Sequence, residues 1–307
     1  MDERPIARLV AQNAGSDHTE IEVSPDECLG WVTEAVQCMD LPSIDAINTY
    51  VVSKAVSQHG IKVALSGLGG DELFGGYPSF RDAPFLSWLG IVPKPLRYPL
   101  FRTIGRGMGE KFSDVSTCSS YDWAVARRRF MGNRELAKAG LESGLSTKDP
   151  QIDVSEKRSF HDRFSAISWA ELDHYMGPML LRDSDQMSMA VSLELRVPFL
   201  DHELVDYVTG LPQKLKKGSG TKPLLVKAFN DILPREVYAR KKQGFALPMD
   251  HWMRGPLAGF CEEGLNSLEG IVNAEFRASI YKRFQQHALH WTRLWHLVVL
   301  GHYLKRL

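Results

Sequence analysis

The chain has 307 residues, 44% of them hydrophobic and 24% charged, and Lys plus Arg equals Asp plus Glu at 37 each. That balance excludes a global field for nucleic acid or an anionic membrane, and the length allows one large domain or two small ones with ample core. Cys28, Cys38, Cys118 and Cys261 form no CxxC pair, which suits reduced thiols better than a disulfide framework or a structural zinc site.

In chain order, "MDERPIARLVAQ" is charged and lacks the apolar core of a signal peptide. No apolar run approaches the ~20 residues a membrane helix needs, so a cytoplasmic protein is expected. "PIARLVAQNAG" predicts a short amphipathic helix ending at Gly15, and "HTEIEVS" alternates like a strand. "SPDECLGWVTEAVQCM" offers a cap at Ser24, acids in the first turn and helical apolar spacing. "INTYVVSKAVSQHG" predicts a helix closed by Gly60, followed by a strand at "IKVALS". This alternation is that of a parallel sheet with crossover helices.

After Phe80 the pattern turns helical. "VPKPLRYPL" is a proline-broken connection, and residues 142–159 form a polar surface loop. Residues 168–195 read as helix, and "RVPFLDHELVDYVTGLP" adds a turn and another helix. "TKPLLVKAFNDILPREVYARKKQGF" supplies a helix, a stop at Pro234 and a basic segment. The tail from Ser279 has helical apolar spacing, with His287 and His290 inside the helix and better suited to solvent or the core edge than to a metal.

The chemistry concentrates in "VALSGLGGDELFGGYPSF", Val63 to Phe80. A strand running into Ser66, Gly67, Leu68, Gly69 and Gly70 puts consecutive N–H groups at the carboxyl edge of a sheet, where open α/β sheets hold anions. The Ser66 hydroxyl adds a donor, and Asp71 is a hard-oxygen ligand suited to Mg²⁺ among phosphate oxygens. The plainer alternative is a tight turn whose acids, Asp71 and Glu72, cap the next helix. Gly75-Gly76-Tyr77 weighs against it by adding a second turn. G-x-x-x-x-G-K-[ST] occurs nowhere, and the dinucleotide pattern fails because Glu72 stands where its last glycine belongs.

"ALSGLGGDELFGGYPSF" resembles the S-G-x-G-x-D-E-x-x-G-G-Y motif in the synthetase (ATP-pyrophosphatase) domain of the asparagine synthetase family. "NTYVVSKAVSQHGIKVALSG", "LLRDSDQMSMAVSLELRVPFLDHELVDYV", "KPLLVKAFNDILPREVYARKKQGFALPMDHWMRG" and "TRLWHLVVLGHYL" are similar to further family segments in the same order, so the likeness covers essentially the whole chain. The resemblance implies an α/β fold of the adenine nucleotide α-hydrolase type, with a truncated parallel sheet over residues 1–80 and a mainly helical part over 81–307. It implies ATP-dependent adenylation of a side-chain carboxylate, aspartate in the family, with Mg²⁺, and amide formation by ammonia drawn from glutamine. By the same resemblance Ser66 and Gly67, with Gly69 and Gly70, contact the nucleotide, and Asp71 is the Mg-pyrophosphate ligand. Lys242 in "RKKQGF" matches the catalytic lysine; without the family match, Arg240, Lys241 and Lys242 read as a solvated basic run. Leu68, Glu72 and Arg182 are the candidate substrate contacts, although Arg182 and Asp183 could equally form an internal ion pair. Glu194 and Arg196 read as braces for the loop before Pro198.

Three departures qualify the expectation. No cysteine precedes Cys28, so the family's glutaminase nucleophile is not encoded here. The S-G-G-x-D-S loop of the family does not occur, which makes the chain a fragment, a split subunit or a degenerate copy. The segment missing from this domain would come from a glutaminase or N-terminal synthetase partner, and an exposed sheet edge would favour a homo-oligomer. Leu68 stands where many relatives carry an acid, favouring amide or lactam formation on another carboxylate. An inactive scaffold is the remaining alternative.

Overall fold

The computed structural model describes residues 3–93, 96, 112, 115, 118–141, 159–239 and 247–307. Lys242, most of "VPKPLRYPL" and all of the expected polar loop but Ser159 lie outside them. The fold is mixed α/β, mostly helical, with a small parallel sheet.

The first helix, Arg4–Ala14, ends at Gly15 in the left-handed conformation. Arg8 and Glu20 then pair two-fold, through Nε and Nη2 at 2.5 and 2.7 Å, and fold the following segment back along the helix. That segment, expected as a strand at "HTEIEVS", has no regular structure. A strand is defined by its partner, and Ile21 and Val23 pack against the helical core instead of entering a ladder. Ser24 and Glu27 close a reciprocal capping box on helix Pro25–Cys38. Helix Ala46–Gln58 follows and leads through Gly60 into β1, Val63–Leu65.

β1 pairs in parallel with β2, Glu194–Arg196, in the register Val63↔Glu194, Ala64↔Leu195 and Leu65↔Arg196. This corrects the helical reading of residues 168–195 at its end. The helix stops at Met189, and the chain turns through Ser192 at φ 57° into the strand. Glu194 and Arg196 are therefore strand residues, joined side chain to side chain at 2.8 Å. Upstream, helix Arg163–Glu171 passes into a π-helical stretch, Leu172–Leu181, that contains Pro178, then returns to α-helix over Arg182–Met189. A proline inside α-helix lacks its i−4 bond and clashes with that carbonyl, and π-helical geometry is rare and tends to mark functional segments.

The main core lies among helices Pro25–Cys38, Ala46–Gln58, Ala258–Asn266, Ala274–Gln285 and Trp291–Leu304. Leu294, Trp295 and Val298 are wholly buried there, each such side chain contributing about 1.5–3 kcal/mol of transfer free energy. The tail is two helices, not one. His287 sits at φ 55° in the turn between them, and His290 caps the second helix, its ring accepting from the Thr292 N–H. A second cluster joins helices Ser79–Leu86, Ser120–Arg128 and Arg163–Glu171 around Trp123 and Ile167. A third packs Leu73 and Phe74 against Val208, which fixes the segment following β1. None of the described helices is long and apolar enough to cross a membrane.

Candidate nucleotide site

The ladder ends where the Ser66 N–H donates to the Arg196 carbonyl at 2.8 Å, so the chain leaves the sheet at Ser66–Gly67. The Leu68 N–H then donates to Ser66 Oγ at 3.3 Å, and the Gly70 N–H to the Gly67 carbonyl at 3.3 Å. These bonds curl the loop into helix Gly70–Phe74. Glycine is required at position 69 twice over: φ is 91°, and an added Cβ would lie 2.6 Å from Leu200 Cδ2. The buried Gly69 and Gly70 thus rest on Phe199 and Leu200, three and four residues beyond the end of β2.

Asp71 heads the short helix, and Lys222 Nζ lies 3.1 Å from its Oδ1. Asp71 and Lys222 are partly exposed as side chains, at 21% and 27%, while the Oδ1 that faces Lys222 is itself buried. Gly76 makes room for them. A Cβ there would sit 1.7 Å from Asp71 Oδ1 and 2.7 Å from Lys222 Cε. Lys222 adopts φ 53° and ψ 51°, a left-handed conformation uncommon for a lysine, immediately before Pro223 at the start of helix Pro223–Ala228. Strained backbone of this kind persists where the surroundings over-determine it, and it clusters at ligand sites. Lys222 is the residue that sequence reasoning missed. Its signal was faint: a glycine-rich "GSGTKP" turn ending in a cation ahead of a helix.

Glu72, proposed from sequence as a substrate contact, is only 1% exposed. Tyr77 donates its hydroxyl to Glu72 Oε1 at 2.8 Å, and burial pushes the carboxyl above its ordinary range. Arg182 donates through Nη2 and Nε to Asp183 Oδ1, at 2.9 and 3.2 Å. Asp183 also accepts from the Ser43 hydroxyl and, at 3.4 Å, from Gln186, and burial raises its pKa despite these partners. The structure thus gathers Ser66 through Asp71 with Lys222, turns Glu72 inward, and sets Arg182 in the internal ion pair foreseen as its alternative reading.

A carboxylate, an ammonium and a turn of backbone donors are what a polyanion and a hard divalent cation require. As a test for magnesium, the donor set is one partly exposed carboxylate, and no group of three or more His, Cys, Asp or Glu is gathered among the described residues. That fits Mg²⁺, which uses one or two carboxylates plus phosphate oxygens and water, and does not fit an all-protein cage.

The profile of the family described as asparagine synthase matches residues 1–305. Asparagine synthetase [glutamine-hydrolyzing] 1 of Bacillus subtilis is 31% identical over 266 residues, covering 82% of this chain and 41% of that protein. Asparagine synthetase [glutamine-hydrolyzing] 3 of the same organism is 28% identical over 247 residues, covering 80% and 36%. Amidase chyE of Penicillium rubens is 26% identical over 292 residues, covering 83% and 43%. The chain spans less than half the length of these relatives, and it belongs to the asparagine synthase family.

Proposed function

We propose that this chain carries the nucleotide site of an ATP-dependent amide-forming ligase. The observation that carries this reading is the Ser66–Asp71 turn closed by Lys222, at the end of a parallel strand. In the reaction, a carboxylate oxygen attacks the α-phosphate of ATP and pyrophosphate leaves, giving an acyl-adenylate. Ammonia then adds to the acyl carbon, AMP leaves, and a proton is released as the amide forms. Backbone N–H groups of Gly67 and Gly69 with the Ser66 hydroxyl are suited to hold phosphate oxygens, while the Gly70 N–H is engaged by the Gly67 carbonyl and shapes the turn. Asp71 would hold Mg²⁺, which when bound neutralises the charge developing on the transferring phosphates. Lys222 stands beside it as a fixed cation of the kind that stabilises a charged transition state. Lys242 is assigned the catalytic lysine by its place in "RKKQGF".

Aspartate, the acceptor that the family resemblance implies, is the first candidate. A different carboxylate is favoured by Leu68, which is partly buried in the loop and offers no hydrogen-bonding group. We further propose that β1 and β2 belong to a larger ATP-pyrophosphatase sheet. Val63 and Leu65, 43% and 74% exposed, are suited to pack against strands supplied with the S-G-G-x-D-S loop, which this sequence does not contain. Carboxylate-dependent release of pyrophosphate from ATP tests the reading, with the chain alone and fused to a segment carrying that loop. A panel of aspartate, glutamate and amino-substituted carboxylates identifies the acceptor. Release from the fusion that depends on one carboxylate and fails in Asp71→Asn supports it, and release from none of the panel contradicts it.

A further inference from the structure

Arg128, the last residue of helix Ser120–Arg128, stands where three segments of the chain meet. Its Nε donates to Glu171 Oε2 at 2.6 Å, and Glu171 is completely buried. The guanidinium carbon lies 4.3 Å from the Tyr77 ring centroid and 3.6 Å from that of Tyr175. The two rings meet edge to face, with centroids 5.9 Å apart. Each phenol passes the contact on: Tyr77 donates to Glu72 at 2.8 Å, and Tyr175 to Asp45 at 2.9 Å. The Ser79 hydroxyl donates to the remaining oxygen of Glu171.

One guanidinium therefore serves three carboxylates, one directly and two through phenols. Arginine suits this place, as a broad planar cation whose carbon stands close to two aromatic rings while its edge donates to an acid. A lysine could meet Glu171 but has no planar fork to stand beside both rings at once. Glu72, Tyr77 and Ser79 belong to the same stretch as the Ser66–Asp71 turn. The stretch is thereby fixed at two places, at Asp71 by Lys222 and at Glu72 and Tyr77 by Arg128.

We propose that Arg128 is a positioning residue for the glycine-rich loop, acting through Tyr77 and Glu72 to hold residues 66–77 in the geometry that binds nucleotide. The part concerning nucleotide rests on the function proposed above; the part concerning the loop does not. Amide hydrogen exchange on the full 307-residue chain separates the two. Arg128→Lys should raise exchange across residues 66–80 by about tenfold, as expected for losing a stacked cation contact. Exchange in helix Trp291–Leu304 should stay unchanged. Mg-ATP binding by calorimetry should weaken by about the same factor. Tyr77→Phe, which removes only the phenol bridge to Glu72, should act in the same direction and add little to Arg128→Lys in the double variant. Unchanged exchange over 66–80, or an equal rise in 291–304, overturns the proposal. If Arg128→Lys does not accumulate as folded protein, exchange in Tyr77→Phe decides by the same comparison. Absence of Mg-ATP binding by the wild-type chain would defeat the functional reading, while the exchange data would still decide the role of Arg128.

Discussion

The Lys222 ammonium stands 3.1 Å from Asp71 Oδ1, and the space beside both is the space a side chain at Gly76 would fill. Gly76→Ala should therefore separate the pair. Backbone adjustment around the new methyl should cost about 1–3 kcal/mol, read as a lower urea midpoint, and Mg-ATP binding should weaken with it. Gly67→Ala is the control. No atom lies within 4 Å of a Cβ at that position, so its urea midpoint should stay near the wild-type value.

Lys222 offers a test that separates strain from charge. Its φ of 53° penalises any residue with a Cβ, while glycine adopts that conformation freely. Lys222→Ala and Lys222→Gly both lose the ammonium, yet the glycine variant should be the more stable by about 1 kcal/mol. Both should bind inorganic pyrophosphate more weakly than wild type and to a similar degree. Equal stability of the two variants would show that the left-handed backbone is not retained in solution.

In the helical half, helices Ala258–Asn266 and Trp291–Leu304 cross at paired glycines. A Cβ on Gly301 would lie 1.7 Å from the Gly264 carbonyl oxygen, and one on Gly264 would lie 2.6 Å from that of Val298. Gly301→Ala must push apart two of the helices that form the main core, at a cost of about 3 kcal/mol. Thermal melting of the variant beside wild type measures this, and a melting temperature within a degree would contradict the close crossing.

His296 should give the stability a pH dependence of definite sign. Burial depresses its pKa from 6.5 to about 4, and its ring lies 4.3 Å from that of Phe130. The folded state therefore resists protonation that the unfolded state accepts. Its contribution is complete above pH 6.5 and is lost as pH falls toward about 4, amounting to about 3 kcal/mol across that window. The buried carboxyls of Asp45, Glu72 and Asp183 have raised pKa values and run the opposite way, gaining stability as pH falls. The difference between wild type and His296→Phe isolates the histidine. Urea midpoints from pH 7 to 4.5 should converge as the wild type weakens, and parallel curves would contradict the assignment.

Local signals carried much of the fold. The Ser24–Glu27 capping box, the stop at Gly15 and the strand before Ser66 follow from residues adjacent in sequence, and the structure has each of them. What depends on distant partners was not legible. "HTEIEVS" alternates like a strand but meets no partner strand among the described residues. Glu194–Arg196 lies in a helix-like run yet becomes a strand because β1, more than a hundred residues earlier, supplies its ladder. The π-helical stretch around Pro178 has no spacing that sets it apart from α-helix. At the site, the glycine-rich turn announced itself by composition. Lys222 did not, since its conformation and its approach to Asp71 arise from tertiary packing. The inward turn of Glu72 likewise depends on Tyr77 and on Ser168, whose hydroxyl donates to the Glu72 carbonyl at 2.8 Å.

The central claim, that Ser66 to Asp71 with Lys222 forms a nucleotide site, is tested most directly by calorimetric titration of the 307-residue chain with Mg-ATP. Wild type, Asp71→Asn, Lys222→Ala and the surface control Lys227→Ala should be compared at one ionic strength. The account predicts saturable binding by wild type and by Lys227→Ala. Each of the two site variants should lose at least about tenfold in affinity, the scale of one charge-assisted contact. Equal affinity in all four proteins, or no binding by wild type, would contradict it.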